Sequence, residues 1–167
     1  MNEKQINVGI GKIAFANPPK VLVSIGVGSC IVLCLYHKPT KTAGMAHIML
    51  PGTGDEKDDL DKPAKYVKNA INYMIKKFNK MGIKNLNSIK AKLVGGAQLF
   101  VFKQVPNIGV RNIKETKEQL RKYGIRIMGS EVGGNCGRSV WFYSDTGKVV
   151  VLSLIHISEP TRPLYIS

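Results

Sequence analysis

Apolar residues in the first fifty positions alternate or run in short blocks, a period that suits strands rather than helices. The segments "NVGIGKIAFA" and "KVLVSIGVG" flank the turn-forming "NPPK" and predict two short strands. "CIVLCLYH" is a β-branched and apolar run. "TAGMAHIML" follows it after "KPTK", so the two predict a hairpin. The polar stretch "PGTGDEKDDLD" is long enough to serve as a lid or flap. The period then changes: Val67, Ala70, Ile71, Met74, Phe78 and Met81 recur mostly at spacings of three and four. They predict a helix that starts near Asp61 and Pro63 and stops at Gly82. This stripe reads as core, not as a cofactor box.

"SIKAKLVGG" returns to the strand pattern and ends at Gly95 and Gly96. In "RNIKETKEQLRKYG", Asn112 with Glu115 three residues on predicts a capped helix start, and Gly124 a stop. "IRIMGSEVGG", "RSVWFYS" and "KVVV" read as further strands between glycine turns. Roughly seven strands and two main helices predict an α+β fold: a single layered domain with mixed or antiparallel β-sheets. No internal repeat or low-complexity segment interrupts the pattern.

The chain of 167 residues is long enough for one domain with a sizeable core. Its 44% hydrophobic and 22% charged residues describe an ordinary globular composition. The amino end "MNEKQINVGIGK" lacks the apolar core of a secretion signal, and no run approaches the roughly 18 apolar residues of a membrane span. These features predict a cytoplasmic protein, not inserted in a membrane, whose three cysteines are reduced thiols. The net charge of +14, from 25 basic and 11 acidic residues, favours an acidic partner or is a solvated lysine-rich surface. The basic segments lack interleaved aromatics and any DNA- or RNA-binding signature, so nucleic acid is not expected as a partner.

The last residues change character. "LSLIHISEPTR", Leu152 to Arg162, matches one translated frame of a widely used sequencing-library adapter. We therefore expect a domain over residues 1–151 and an adapter-derived tail over 152–167, which keeps His156 out of any site.

Two of the three cysteines and two of the three histidines fall between Ser24 and Pro51. Cys30 and Cys34 are four apart in a strand-like run, where that spacing covers about 13 Å, too far for a disulfide or a shared zinc without a bend. No metal site is expected. A catalytic cysteine needs an accessible thiolate and a base within hydrogen-bonding reach. Gly26, Gly28 and Ser29 leave the backbone at Cys30 room to turn and to aim N–H groups at an oxyanion. Cys34, inside the apolar run, reads as core. His37, seven residues along the same strand, points to the opposite face from Cys30. If "KPTK" forms a four-residue loop, His37 pairs with Thr42 and His47 falls opposite Val32, diagonal to Cys30 on its face. A loop one residue shorter or longer would reverse that face. Spacing alone leaves both a catalytic pair and an inert buried cysteine open.

"SIGVGSCIVLCLY" followed by "AGMAHIMLP" resembles the chemoreceptor glutamine deamidase family, CheD. The family signature is Thr-x-Gly-x-Gly-Ser-Cys, then Gly-x-x-His at the spacing of Gly44 to His47. The likeness continues through "LVGGAQLF", "IGVRN" and "GGNCGRSVWFYSDTGKV", covering most of residues 8–151. The resemblance implies a cysteine-hydrolase-like fold and hydrolysis of glutamine side-chain amides on methyl-accepting chemotaxis receptors, with release of ammonia. It makes Cys30 the nucleophile and His47 the general base and acid, with no metal or organic cofactor. The third position, which orients the histidine, falls on Ser24 where the family usually has threonine. Serine keeps the hydroxyl but loses the methyl group that restricts χ1. A CheC-type chemotaxis phosphatase is the further partner implied. The alternatives are a non-catalytic module binding receptor and phosphatase, or a cysteine hydrolase acting on another amide. Arg138 reads as half of a surface ion pair or as an anchor for an acidic helix.

Overall fold

The computed structural model describes residues 4–55, 61–98, 107–154 and 163–166. Ten strands and two main helices are present among them: β1 (Gln5–Asn7), β2 (Ile13–Ala16), β3 (Val21–Val27), β4 (Ile31–His37), β5 (Thr42–Ile48), α1 (Val67–Lys80), β6 (Ile89–Gly95), α2 (Ile108–Lys122), β7 (Arg126–Val132), β8 (Gly137–Tyr143), β9 (Val149–Leu154) and β10 (Pro163–Ile166). The expected α+β class holds, with more strands than the sequence pattern resolves. The central part of the expected lid, residues 56–60, and His156 lie outside the described residues.

The strands form two five-stranded sheets, ordered β1-β3-β8-β9-β10 and β2-β5-β4-β6-β7. Both are mixed: β1 runs parallel to β3 and β6 parallel to β7, while the other neighbours are antiparallel. Strand alternation divides β4 between two cores. Ile31, Leu33 and Leu35 pack with Val67, Ala70, Ile71, Met74 and Phe78 of α1. Val32 and Cys34 pack between the sheets with Leu22, Met45, Val94, Val140 and Phe142. The layers therefore run helices, second sheet, first sheet. Of these α1 side chains, Val67, Ile71, Met74 and Phe78 each contribute about 1.5–3 kcal/mol of transfer free energy before entropy is counted.

Both helix starts differ from expectation. The apolar stripe of α1 is buried as predicted apart from Met81, which is 47% exposed just past the last turn. The helix begins at Val67 rather than near Asp61, because the turn at Ala64 and Lys65 and the bridge from Tyr66 to Leu50 bind the preceding residues to the segment just after β5. The bonds from Met49 N–H to the Ala64 carbonyl, Leu50 N–H to Lys65 and Val67 N–H to Leu50 hold them there. In α2 the cap is Asn107, whose side chain accepts from Val110 N–H at 3.1 Å. Asn112 lies inside the helix and is fully buried, and Glu115 accepts from Gly52 N–H at 2.6 Å instead of closing a capping box. The earlier start depends on a contact no local pattern contains: a Cβ on Gly109 would stand 2.5 Å from the Gly96 and Ala97 carbonyls, so glycine lets α2 seat on that loop.

Candidate active site

The β4–β5 connection is the four-residue loop Lys38–Lys41, and His37 pairs with Thr42. Strand alternation then puts His47 opposite Val32, on the face toward the first sheet. Cys30 precedes β4 and packs at the margin of the same inter-sheet core, with partial exposure. Thiol and imidazole thus share one face of the hairpin, on diagonal positions. Cys34 is fully enclosed in that core, with burial pushing its thiol far up. His37 is on the other face, its Nδ1 2.7 Å from Thr40 Oγ1 in the hairpin loop.

The Cys30 turn is fixed by three successive carbonyls. Gly28 accepts from Ala97 N–H at 3.0 Å, Ser29 from Asn112 Nδ2 at 3.0 Å, and Cys30 from Gly96 N–H at 2.8 Å. Gly95 lies against this turn with φ +114°, a left-handed value, and a Cβ there would stand 2.8 Å from Val27 Cγ1 and collide with the Cys30 carbonyl. Opposite, β3 departs from regular pairing with β8 between Ser24 and Val27, at Ile25 and Gly26. That irregularity frees the chain to leave the sheet toward Cys30.

His47 is buried and held at one ring nitrogen only. Its Nδ1 lies 3.2 Å from the Val8 carbonyl, which accepts and so places the proton on Nδ1. Nε2 has no hydrogen-bond partner among the described residues. The His47 backbone is clamped as well, its N–H donating to Lys12 and its carbonyl accepting from Gly11. Val8 can serve because the chain leaves the first sheet there: its N–H still pairs with Val23, while its carbonyl turns to the site.

Ser24 is fully buried, and its hydroxyl donates to the same Val8 carbonyl at 2.8 Å, with Met45 Sδ at 3.3 Å. Ser24 and His47 therefore meet at a shared backbone acceptor, not through a bond of their own. Pattern reasoning could not find Val8, because a carbonyl carries no residue-type signal. Arg138 makes the expected ion pair, with Glu131, but its surface location is corrected. It is buried, donating to the Gly95 and Gly133 carbonyls at 3.3 and 2.8 Å, with the half-buried Glu131 3.7 Å away. It ties the glycine turn at Gly133 to Gly95, which lies against Cys30.

Burial raises the Cys30 thiol pKa, and the hydrogen bond from its own backbone N–H lowers it less. Burial lowers the His47 pKa, opposed by the Val8 carbonyl. A raised thiol and a lowered imidazole are both neutral near pH 7, so the resting pair is thiol and imidazole, not thiolate and imidazolium. We expect alkylation of Cys30 by iodoacetamide, followed peptide by peptide, to keep accelerating past the ordinary thiol value of 9.0. A rate plateau in the acid range would contradict the neutral pair.

The arrangement has the parts that acyl transfer from an amide needs: a partly exposed thiol on a pinned turn, an imidazole on the same face and the Cys30 backbone N–H at the sulfur. Comparison with known proteins gives it a context. Residues 49–153 match the family model described as "CheD chemotactic sensory transduction". A Thermotoga maritima protein named "Chemoreceptor glutamine deamidase CheD" is 39% identical over 144 residues, 86% of this chain and 88% of the relative. "Probable chemoreceptor glutamine deamidase CheD" of Caldanaerobacter subterraneus subsp. tengcongensis is 38% identical over 93% of this chain and 97% of its own length. A protein of the same name from Clostridium novyi is 38% identical over 90% and 94% respectively.

Proposed function

Because the chain belongs to the CheD family, we propose that it is a protein-glutamine deamidase. It converts selected glutamine side chains of methyl-accepting chemotaxis receptors to glutamate and releases ammonia. The observation that carries the chemistry is the His47 ring, anchored at Nδ1 by the Val8 carbonyl with Nε2 left to exchange a proton on the face Cys30 shares.

His47 Nε2 takes the Cys30 thiol proton as the sulfur attacks the carboxamide carbon, and the C=O electron pair moves to oxygen. The oxyanion rests against backbone N–H groups at Ser29 and Cys30. The tetrahedral adduct collapses, the C–N bond breaks, and imidazolium delivers its proton to the leaving nitrogen as ammonia departs. Water then attacks the thioester with His47 again as base, the C–S bond breaks, and glutamate and the neutral thiol are regenerated. Every proton taken by His47 is returned within the cycle.

Ser24 supports this cycle through Val8. Its donated hydrogen bond fixes the carbonyl that fixes the ring, as an outer partner orients a metal-bound histidine. Ser24→Thr keeps the donor and is expected to leave kcat near wild type. Ser24→Ala is expected to lower kcat by about tenfold, within the range of outer-partner losses, with KM little changed. Equal kcat for Ser24→Ala and wild type would remove Ser24 from the machinery.

The protein works in the cytoplasm, where free Cys30, Cys34 and Cys136 stay reduced. No helix among the described residues is long and apolar enough to cross a membrane. The net charge of +14 suits acidic receptor surfaces, and a CheC-type phosphatase is a second partner, to be tested by pull-down. The deciding experiment incubates the protein with a receptor cytoplasmic fragment, following ammonia and the glutamine-to-glutamate mass change at each site. Folded protein that converts no receptor glutamine would overturn the assignment.

A further inference from the structure

We propose that Asn112 is a positioning residue for the reaction, setting the plane of the Ser29–Cys30 peptide and tying the nucleophile's turn to the end of the histidine strand. The inference rests on the reading of Cys30 and His47 as the reacting pair.

Asn112 sits in the second turn of α2 and is fully buried. Its side-chain Nδ2 donates to the Ser29 carbonyl at 3.0 Å and to the Met49 carbonyl at 3.1 Å. Both partners are backbone acceptors, so the amide orientation is determined: a flipped side chain would set its oxygen against two carbonyl oxygens. Oδ1 has no hydrogen-bond partner among the described residues. A buried acceptor left unpaired costs free energy. The two bonds from Nδ2 are what this side chain contributes in return.

What it holds lies on both sides of the reacting pair. Ser29 immediately precedes Cys30, and Met49 follows His47 by two residues. The peptide unit is planar and trans, so its C=O and N–H point in opposite directions. Pinning the Ser29 carbonyl toward α2 turns the Cys30 N–H away from α2, to the sulfur side. That N–H faces the Cys30 sulfur and is a donor assigned to the oxyanion. The carbonyls on either side, of Gly28 and Cys30, are pinned by backbone N–H groups of Ala97 and Gly96. The Ser29 carbonyl alone of the three depends on a side chain. The same amide fixes Met49, so one residue spans the turn and the end of β5.

Four variants test this: Asn112→Ala, Asn112→Asp, Asn112→Ser and the control Thr116→Val. Asp is nearly isosteric but replaces the donor with an acceptor facing two carbonyls. Ser is small, and its hydroxyl can back-bond within the helix, which provides a folded variant should the others fail to fold. Thr116 is buried on the same helix, one turn on, with a hydroxyl that has no partner among the described residues, so valine perturbs the same packing without touching the clamp. Deamidation is measured well below each melting temperature, with Cys30 alkylation at fixed pH resolved from Cys136.

We expect kcat to fall about 10- to 100-fold in the folded Asn112 variants, with KM nearly unchanged and Cys30 alkylation slowed. Thr116→Val should keep both readouts at wild-type values. An Asn112 variant that loses stability but keeps wild-type kcat and alkylation would overturn the proposal and leave Asn112 a packing residue. Wild-type protein without turnover would instead remove the deamidase reading, and the alkylation comparison alone would then decide the positioning role.

Discussion

A Cys30→Ala protein is expected to release no ammonia from a receptor fragment and to leave every receptor glutamine unconverted, while folding normally. The loss in kcat should be at least about 10⁴-fold, because removing the nucleophile of such a pair leaves only binding and oxyanion contacts. Nothing nearby replaces the sulfur. Cys34 is enclosed in the inter-sheet core with its thiol held protonated, and the Ser24 hydroxyl is buried and committed to the Val8 carbonyl. The fold should tolerate the change, since Cys30 is only partly buried at the margin of its core and loses a single heavy atom. A transfer term for so small a group is on the order of 1 kcal/mol or less. Turnover by a folded Cys30→Ala protein would refute covalent catalysis at this residue.

His47→Gln is expected to lower kcat by about 10²- to 10⁴-fold, the usual range for a lost general base and acid. Its pH dependence separates that role from a structural one. With His47 as the proposed base, the acid limb of kcat/KM for the wild-type protein is expected to report its ionisation. Burial lowers its pKa beneath 6.5, so the base stays neutral into mildly acidic solution and activity falls only as pH drops below that value. Without the imidazole, thiolate must come from direct ionisation of Cys30, whose pKa is raised. Residual activity should then climb steadily through neutral and alkaline pH, with no acid-side inflection. A His47→Gln protein that keeps the wild-type acid limb would show that some other group is the base. Linkage gives a second signature. The unfolded chain binds a proton at residue 47 near pH 6.5 and the folded chain does not, so this histidine costs stability as pH falls below 6.5. That cost should vanish in His47→Gln.

The hairpin shows how far local pattern reaches. A four-residue loop and strict alternation along β4 and β5 settle which face each side chain takes, and the observed pairing of Val32 with His47 follows from that arithmetic. The stripe of α1 was legible for the same reason: burial repeats with the helical period, and five of its six positions are enclosed. Where the pattern misled, a distant partner had intervened. Asn112 has the composition of a cap, but the true cap is Asn107, and the helix starts early because Gly109 fits against the loop after β6. Arg138 has the composition of a surface ion-pair member, but glycine carbonyls from two other segments enclose it.

By itself, the sequence determined the period of each main element and carried the resemblance that points to Cys30 and His47, because these depend on residue types at short, regular spacings. The face the two share followed only for a four-residue loop, which the hairpin register supplies. Only the tertiary structure decided what holds them. The Val8 carbonyl reaches His47 across 39 positions, and the Asn112 amide reaches Ser29 across 83. A backbone carbonyl is chemically the same at every residue, so nothing in the order of side chains marks the one that will be turned toward an imidazole. Its position is set when the two sheets and α2 close on each other.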